Sequence, residues 1–162
     1  MKISKKTALA LLSTLAVSTS ALAATTGTLL LQGEVQQVLD LVVTAQPAAT
    51  TLNITAGQAS TKVATATETS NILTGYKIKI SSTTNGELRH TVQPANHKTT
   101  YKVSYDGGAE VTPTVAGVEV KNVNALSGLT TDTSDINVSV VALSNAPAGI
   151  YQDTLTVTIE AN

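Results

Sequence analysis

An all-β sandwich is the fold class that this 162-residue sequence predicts. Beyond residue 23, Thr, Ser, Val and Ala dominate, and β-branched residues recur in short alternating runs separated by Gly, Pro, Asn and Ser. No stretch of that region carries the apolar spacing of a helix, and no period of about 20 to 50 residues suggests a solenoid or propeller. Many short strands in a chain of this length favour an immunoglobulin-like arrangement of two antiparallel sheets.

The first element is a signal peptide. Lys2, Lys5 and Lys6 lead into an apolar run from Ala8 to Val17, which closes on Ala21-Leu22-Ala23 before Ala24, a small-x-small cleavage pattern. That run is shorter than the roughly 20 residues of a spanning helix and is interrupted by Ser13, Thr14, Ser18 and Thr19. No later stretch is apolar for long enough, so the expectation is no membrane span after cleavage. The remaining 139 residues suit one domain.

The next segment, 24–36, alternates Thr25, Gly27, Leu29, Leu31, Gly33 and Val35 with Thr26, Thr28, Leu30, Gln32 and Glu34. One face is apolar or small, as in a strand. Strands are then predicted at 35–44, 51–55, 62–68, 75–81, 87–92, 100–105, 109–115, 118–123, 136–143 and 150–160. Tyr76, Ile78 and Ile80 face one way and Lys77 and Lys79 the other; Tyr101, Val103 and Tyr105 form a second inward row, and Ile136, Val138 and Val140 a third. Asp106-Gly107-Gly108 tolerates positive φ and predicts a hairpin. Residues 93–99 and 124–135 read as loops.

The last predicted strand follows a turn at Pro147-Ala148-Gly149 and puts Leu155, Val157 and Ile159 on one face. A terminal strand with a buried face needs a neighbour on its far side, and no sequence follows to supply one. The segment 25–35 is the candidate, filling the position in its own domain or in another copy.

Composition narrows the chemistry. Without the signal, seven basic residues stand against eleven acidic ones, a net charge near −4, and the only aromatics are Tyr76, Tyr101, Tyr105 and Tyr151. Nucleic acid is therefore an unsuitable partner, lacking both a basic patch and stacking groups. There is no cysteine, so an exported domain would depend on burial and backbone pairing.

No catalytic constellation stands out. His90 and His97 are the only histidines and are expected on the solvated surface, and their spacing is not that of a zinc helix. Asp132 and Asp135 read as a turn or strand cap rather than a calcium loop, and Gly107-Gly108 as turn chemistry. No cofactor or metal is expected. The sequons Asn53-Ile54-Thr55 and Asn137-Val138-Ser139 both fall in predicted strands.

The exported strand-like segment 25–35, the following Val38-Leu39-Asp40-Leu41-Val42-Val43 and the terminal Ala148-Gly149-Ile150-Tyr151-Gln152-Asp153-Thr154-Leu155-Thr156-Val157 resemble pilin subunits of chaperone–usher systems. The likeness is to the alpha-type and archaic groups and to the related spore-coat-U-like secreted domains. It implies an incomplete immunoglobulin fold, held in the periplasm by a chaperone and polymerised at an outer-membrane usher into a surface fimbria, each subunit receiving the N-terminal strand of the next. Residues 1–23 would be the signal, 24–36 the donor extension and 37–162 the pilin domain. Leu29, Leu31 and Val35 would be donor side chains, with Gly33 where the groove is shallow, and Leu155, Val157 and Ile159 would line the acceptor groove and meet the chaperone. The penultimate tyrosine of the best-known pilin group is absent, since Ala161 precedes Asn162. The competing expectations are a fimbrial adhesin and a secreted coat or matrix domain that completes itself with its own N-terminal strand, Ala45 to Ala49 serving as a flexible connection; no enzymatic role is expected.

Overall fold

The computed structural model describes residues 25–162, so the signal-peptide reading of 1–23 lies outside the described residues. The chain divides into two units, 1–34 and 35–162. Residues 25–34 form no hydrogen-bonded strand, and Leu29, Leu30 and Leu31 are each more than 80% exposed (81%, 82% and 83%).

The second unit contains β1 (Leu39–Ala45), β2 (Gln58–Ser70), β3 (Tyr76–Ser82), β4 (Glu87–His90), β5 (Lys98–Tyr105), β6 (Val118–Val123), β7 (Thr130–Val140), β8 (Tyr151–Gln152) and β9 (Leu155–Ala161). Its one helical element is a 3-10 turn at Pro47–Thr50. One sheet has the order β1-β2-β7-β5-β4-β8 and the other β6-β3-β9, with every strand pair antiparallel. The predicted all-β sandwich-like fold is the one observed.

Period-two alternation builds the core. Tyr76, Ile78 and Ile80 of β3 are buried, as are Tyr101, Val103 and Tyr105 of β5 and Ile136, Val138 and Val140 of β7. On the opposite face of β3, Lys77 and Lys79 reach Glu160 of β9 at 3.6 and 2.9 Å. In register, Ile78 lies opposite Ile159 and Ile80 opposite Val157.

Several elements differ from the sequence reading, each for a local reason. The first strand starts at Leu39 rather than 35. Residues 51–55 form no strand and the chain bends at 54–56, where the Asn53 side chain accepts the Ala56 N–H at 2.9 Å and closes an Asx-type turn; the first sequon is thus in a loop, while Asn137 lies in β7. Ala45–Ala49 is no loose connection, since Gln46 N–H bonds Val63 O at 2.7 Å and the 3-10 turn follows. Residues 109–115 make only isolated bridges, Val103 to Val111 and Ser81 to Thr114, and Pro113 offers no N–H for a ladder. The turn at Asp106-Gly107 has the positive φ values expected, 51° and 70°, but the hairpin it closes is one bridge long.

Half of the predicted loop 124–135 is strand. Thr130 to Asp135 extend β7 along β2, where β-branched threonines suit a pleated surface despite their polarity. Asp132 and Asp135 are therefore strand residues, not turn caps, and pair with Lys121 and Lys62 at 2.6 Å each. His90 is buried rather than solvated: its Nδ1 accepts the N–H groups of Val92 and Gln93 at 3.1 and 3.2 Å, and Tyr151 packs edge-on at 5.2 Å. His97 is half-buried beside it. Gly149 is needed there, since a Cβ would fall 2.0 Å from His90 Nε2.

Candidate functional site: the cleft between β1 and β9

The predicted strand 150–160 is two strands. Tyr151–Gln152 pairs with β4 in the larger sheet, and after Asp153-Thr154 the chain crosses to pair with β3 in the smaller one. Asp153 makes the crossing possible. Its carboxylate accepts Ser82 Oγ at 2.5 Å, Thr83 Oγ1 at 2.6 Å, Tyr101 OH at 2.5 Å and its own neighbour's Thr154 N–H at 2.7 Å. Burial pushes this carboxyl up, but the hydroxyls of Ser82, Thr83 and Tyr101 outweigh it and hold the group below the usual carboxylate range.

Among the described residues, the crossing leaves β9 at the edge of its sheet, paired with β3 on one side only, and β1 is likewise at the edge of its sheet, paired only with β2. The two edges run side by side without hydrogen-bonding each other. Between them opens a cleft of about 270 Å³, walled by Val43 and Ala45 of β1 and by Leu155 and Val157 of β9. Leu88, Tyr101, Ile136 and Val138 are among the core residues on its floor, and Ala49 and Leu52 contribute to its rim. Among the described residues of this lining Asp153 is the sole charged one, and hydroxyls occupy it.

Edge strands present every second residue's N–H and C=O outward, so the cleft combines an apolar floor with two rows of backbone groups that pair with no described strand. Val43 belongs to the inward row with Leu39 and Leu41, yet it is 44% exposed, because no described residue covers it on the cleft side. The opening is confined to one end. Leu39, Leu41 and Ile159 pack against the core, as Leu155 and Val157 do, but do not line the opening. At their nearest, Cα atoms of β1 and β9 come within 8 Å, whereas strands flanking a third lie roughly 9.5 Å apart, so a strand inserted along the full length would spread them.

A charged cluster ties the two sheets together inside the sandwich. Glu68 of β2, 1% exposed, accepts the hydroxyls of Tyr76 of β3 at 2.7 Å, Ser134 of β7 at 2.8 Å and Tyr105 of β5, and pairs with Lys121 of β6 at 2.9 Å. Lys121 also meets Asp132 at 2.6 Å and Asp106 at 3.3 Å. Burial pushes Glu68 up, but the Tyr105, Tyr76, Lys121 and Ser134 bonds hold it below its ordinary range. Burial lowers Lys121, and its pairing with Asp132 and Glu68 more than reverses this. In a domain without cysteine, this cluster and the Asp153 node cross-brace the sheets.

The residues singled out in the sequence fall in two places. Leu155 and Val157 line the cleft, and Ile159 continues their row beyond it on the core. Leu29, Leu31 and Gly33 lie in the strandless segment; Val35, 87% exposed, begins the second unit. Val43, Ala45, Leu88 and the anchoring Asp153 went unassigned. For Val43 the signal was present in the alternation Leu39-Leu41-Val43, but alternation alone does not reveal that a strand will be an edge.

Fold and cleft together define a class: a two-sheet all-β domain with an apolar opening between two unpaired edges. Against known proteins, no family model and no curated sequence matches the chain.

Proposed function

We propose that this protein is a structural, non-enzymatic subunit of a bacterial surface fimbria that polymerises by donor-strand exchange. The observation that carries the reading is the cleft: two edge strands flank an apolar floor whose inward-facing Val43 remains 44% exposed. The chain also carries a segment of the complementary pattern, with Leu29 and Leu31 exposed and no strand formed. Burying Leu29, Leu31 and Val35 contributes roughly 4.5 to 9 kcal/mol, comparable with the roughly 5 to 15 kcal/mol stability of a whole domain.

In this reading the chain is exported through the inner membrane and the signal 1–23 is removed. A periplasmic chaperone lends a strand to the cleft between β1 and β9. At the outer-membrane usher, Leu29 and Leu31 of an incoming subunit replace it, with β1 and β9 spreading to admit the strand. Fibres at the cell surface would serve adhesion or biofilm formation. The partners are other copies or related pilins, the chaperone and the usher; neither metal nor cofactor is required.

Leu31→Asp tests the proposal, because it disables the donor while leaving the cleft of the same molecule intact. Mixed with wild-type subunits, it caps growing ends and shortens fibres in proportion to its share. If the wild-type protein is a monomer and Leu31→Asp only lowers its melting temperature, the segment completes its own domain and the fibre reading is wrong.

A further inference from the structure

At the far edge of the larger sheet, one imidazole joins three pieces of chain. Nδ1 of His90 accepts the N–H groups of Val92 and Gln93 at 3.1 and 3.2 Å, and its Nε2 lies 3.2 Å from Ala148 O. Two N–H donors need a bare Nδ1 and a carbonyl needs a proton on Nε2, so these partners fix one neutral tautomer. The strand beside it is short. β8 meets β4 only at Arg89–Gln152 and His90–Tyr151, extended by Thr91 N–H to Ile150 O at 2.9 Å. The loop 91–97 closes back on the same residue, since His97 N–H bonds Gln93 O at 3.1 Å and His90 N–H bonds His97 O at 2.9 Å.

A second proton has no place in this arrangement. On Nδ1 it would turn the acceptor into a donor aimed at two other donors. No counter-charge waits for it either: among the described residues no carboxylate lies within ion-pair distance of His90 or His97. The titratable groups against the ring are His97 and Tyr151, with ring centroids at 6.1 and 5.2 Å. Arg89 and Asp153 line the same polar concavity as His90, but Glu87 takes the guanidinium at 2.6 and 2.9 Å and the hydroxyls of Ser82, Thr83 and Tyr101 take the carboxylate. His90 is 8% exposed, so an imidazolium here would be a buried charge without a partner.

We propose that His90 is an acid-sensitive latch: neutral, it closes loop 91–97 and turn 147–150 and holds β8 as the edge of the larger sheet; protonated, it releases them and leaves β4 as the edge. The latch works within one domain and does not depend on the fibre reading. Histidine changes charge between about pH 5 and 8, and one proton taken up on opening raises the open fraction about tenfold per pH unit once the imidazole of the open form is charged. The cleft wall stays in place, because β9 is held separately by β3 and by the bonds of Asp153.

The test follows two signals by NMR in one full-length sample, titrated from about pH 7.5 to about pH 4.5: the protonation of the His90 ring nitrogens, and the exchange protection of the Val92 and Gln93 amides relative to an unstructured chain. Protection is expected to fall about tenfold or more as the ring takes its second proton. His90→Asn offers an acceptor near the Nδ1 position that cannot become charged, so its protection should stay level with pH, while His97→Asn should respond as wild type does. Amides that remain protected around a doubly protonated ring overturn the latch, as does a ring still neutral at about pH 4.5. So does an acid response that persists in His90→Asn or vanishes in His97→Asn. If His90→Asn does not fold, the two wild-type signals decide the matter between them.

Discussion

The two sides of the sandwich treat the same kind of residue differently. On the closed side, Ile78 and Ile80 of β3 are fully covered by strands on either hand. On the open side, Val43, with an equally inward-facing side chain, keeps 44% of its surface exposed. Alternation turns both side chains inward; burial depends on whether a neighbouring strand exists. The difference teaches that turning inward does not by itself bury an apolar residue; a neighbouring strand has to cover it.

The largest expected effect comes from cutting the brace that holds the sheets. Glu68→Ala leaves Lys121 without its buried partner and is expected to destabilise the domain by about 3 to 5 kcal/mol in urea titration. A loss well under 1 kcal/mol would mean that Asp132 and Asp106 suffice for Lys121, and that burial alone holds the two sides in register.

Equivalent truncations on the two sides probe the comparison directly. Ile78→Ala is expected to cost about 2 to 5 kcal/mol, whereas Val157→Ala on the cleft wall is expected to cost only about 1 kcal/mol. The gap should narrow when a synthetic 25–35 peptide is present, because the wall then becomes core. Equal penalties without peptide would show that the cleft is already filled in solution.

Adding the same peptide to wild type should raise the melting temperature in a saturable way, worth about 2.7 kcal/mol at a hundredfold excess over Kd. A peptide with Leu29 and Leu31 both changed to Asp should have no effect. Identical shifts from both peptides would detach the stabilisation from the leucine row.

The smallest effect is acid sensitivity. Glu68 and Asp153 are both held below the ordinary carboxylate range, so the unfolded chain binds protons more readily than the folded one. Their stabilisation is complete above about pH 5 and is lost as pH falls through the depressed values. Melting temperature should therefore drop below about pH 4, and Asp153→Asn should flatten that slope. An unchanged slope would place the acid response elsewhere in the molecule.

Much of the fold was legible because periodicity survives in the sequence wherever a strand has one wet face. The rows Tyr76-Ile78-Ile80, Tyr101-Val103-Tyr105 and Ile136-Val138-Val140 were read correctly for this reason. Thr130 to Asp135 were misread because a strand that is polar on both faces looks like a loop. His90 was misread because its burial depends on loops 91–97 and 147–150, far apart in sequence, folding over its ring.

The cleft was half legible. Leu155 and Val157 could be named from alternation alone, yet Asp153 seemed an ordinary polar residue until Ser82, Thr83 and Tyr101 converged on it. By itself the sequence determined which residues turn inward, because that follows from the two-residue period of a strand and the transfer of apolar groups from water. Only the tertiary structure decided which strands would be edges, where the chain would cross between sheets and which buried charges would meet, because strand order joins residues such as Glu68 and Lys121 that no local pattern relates.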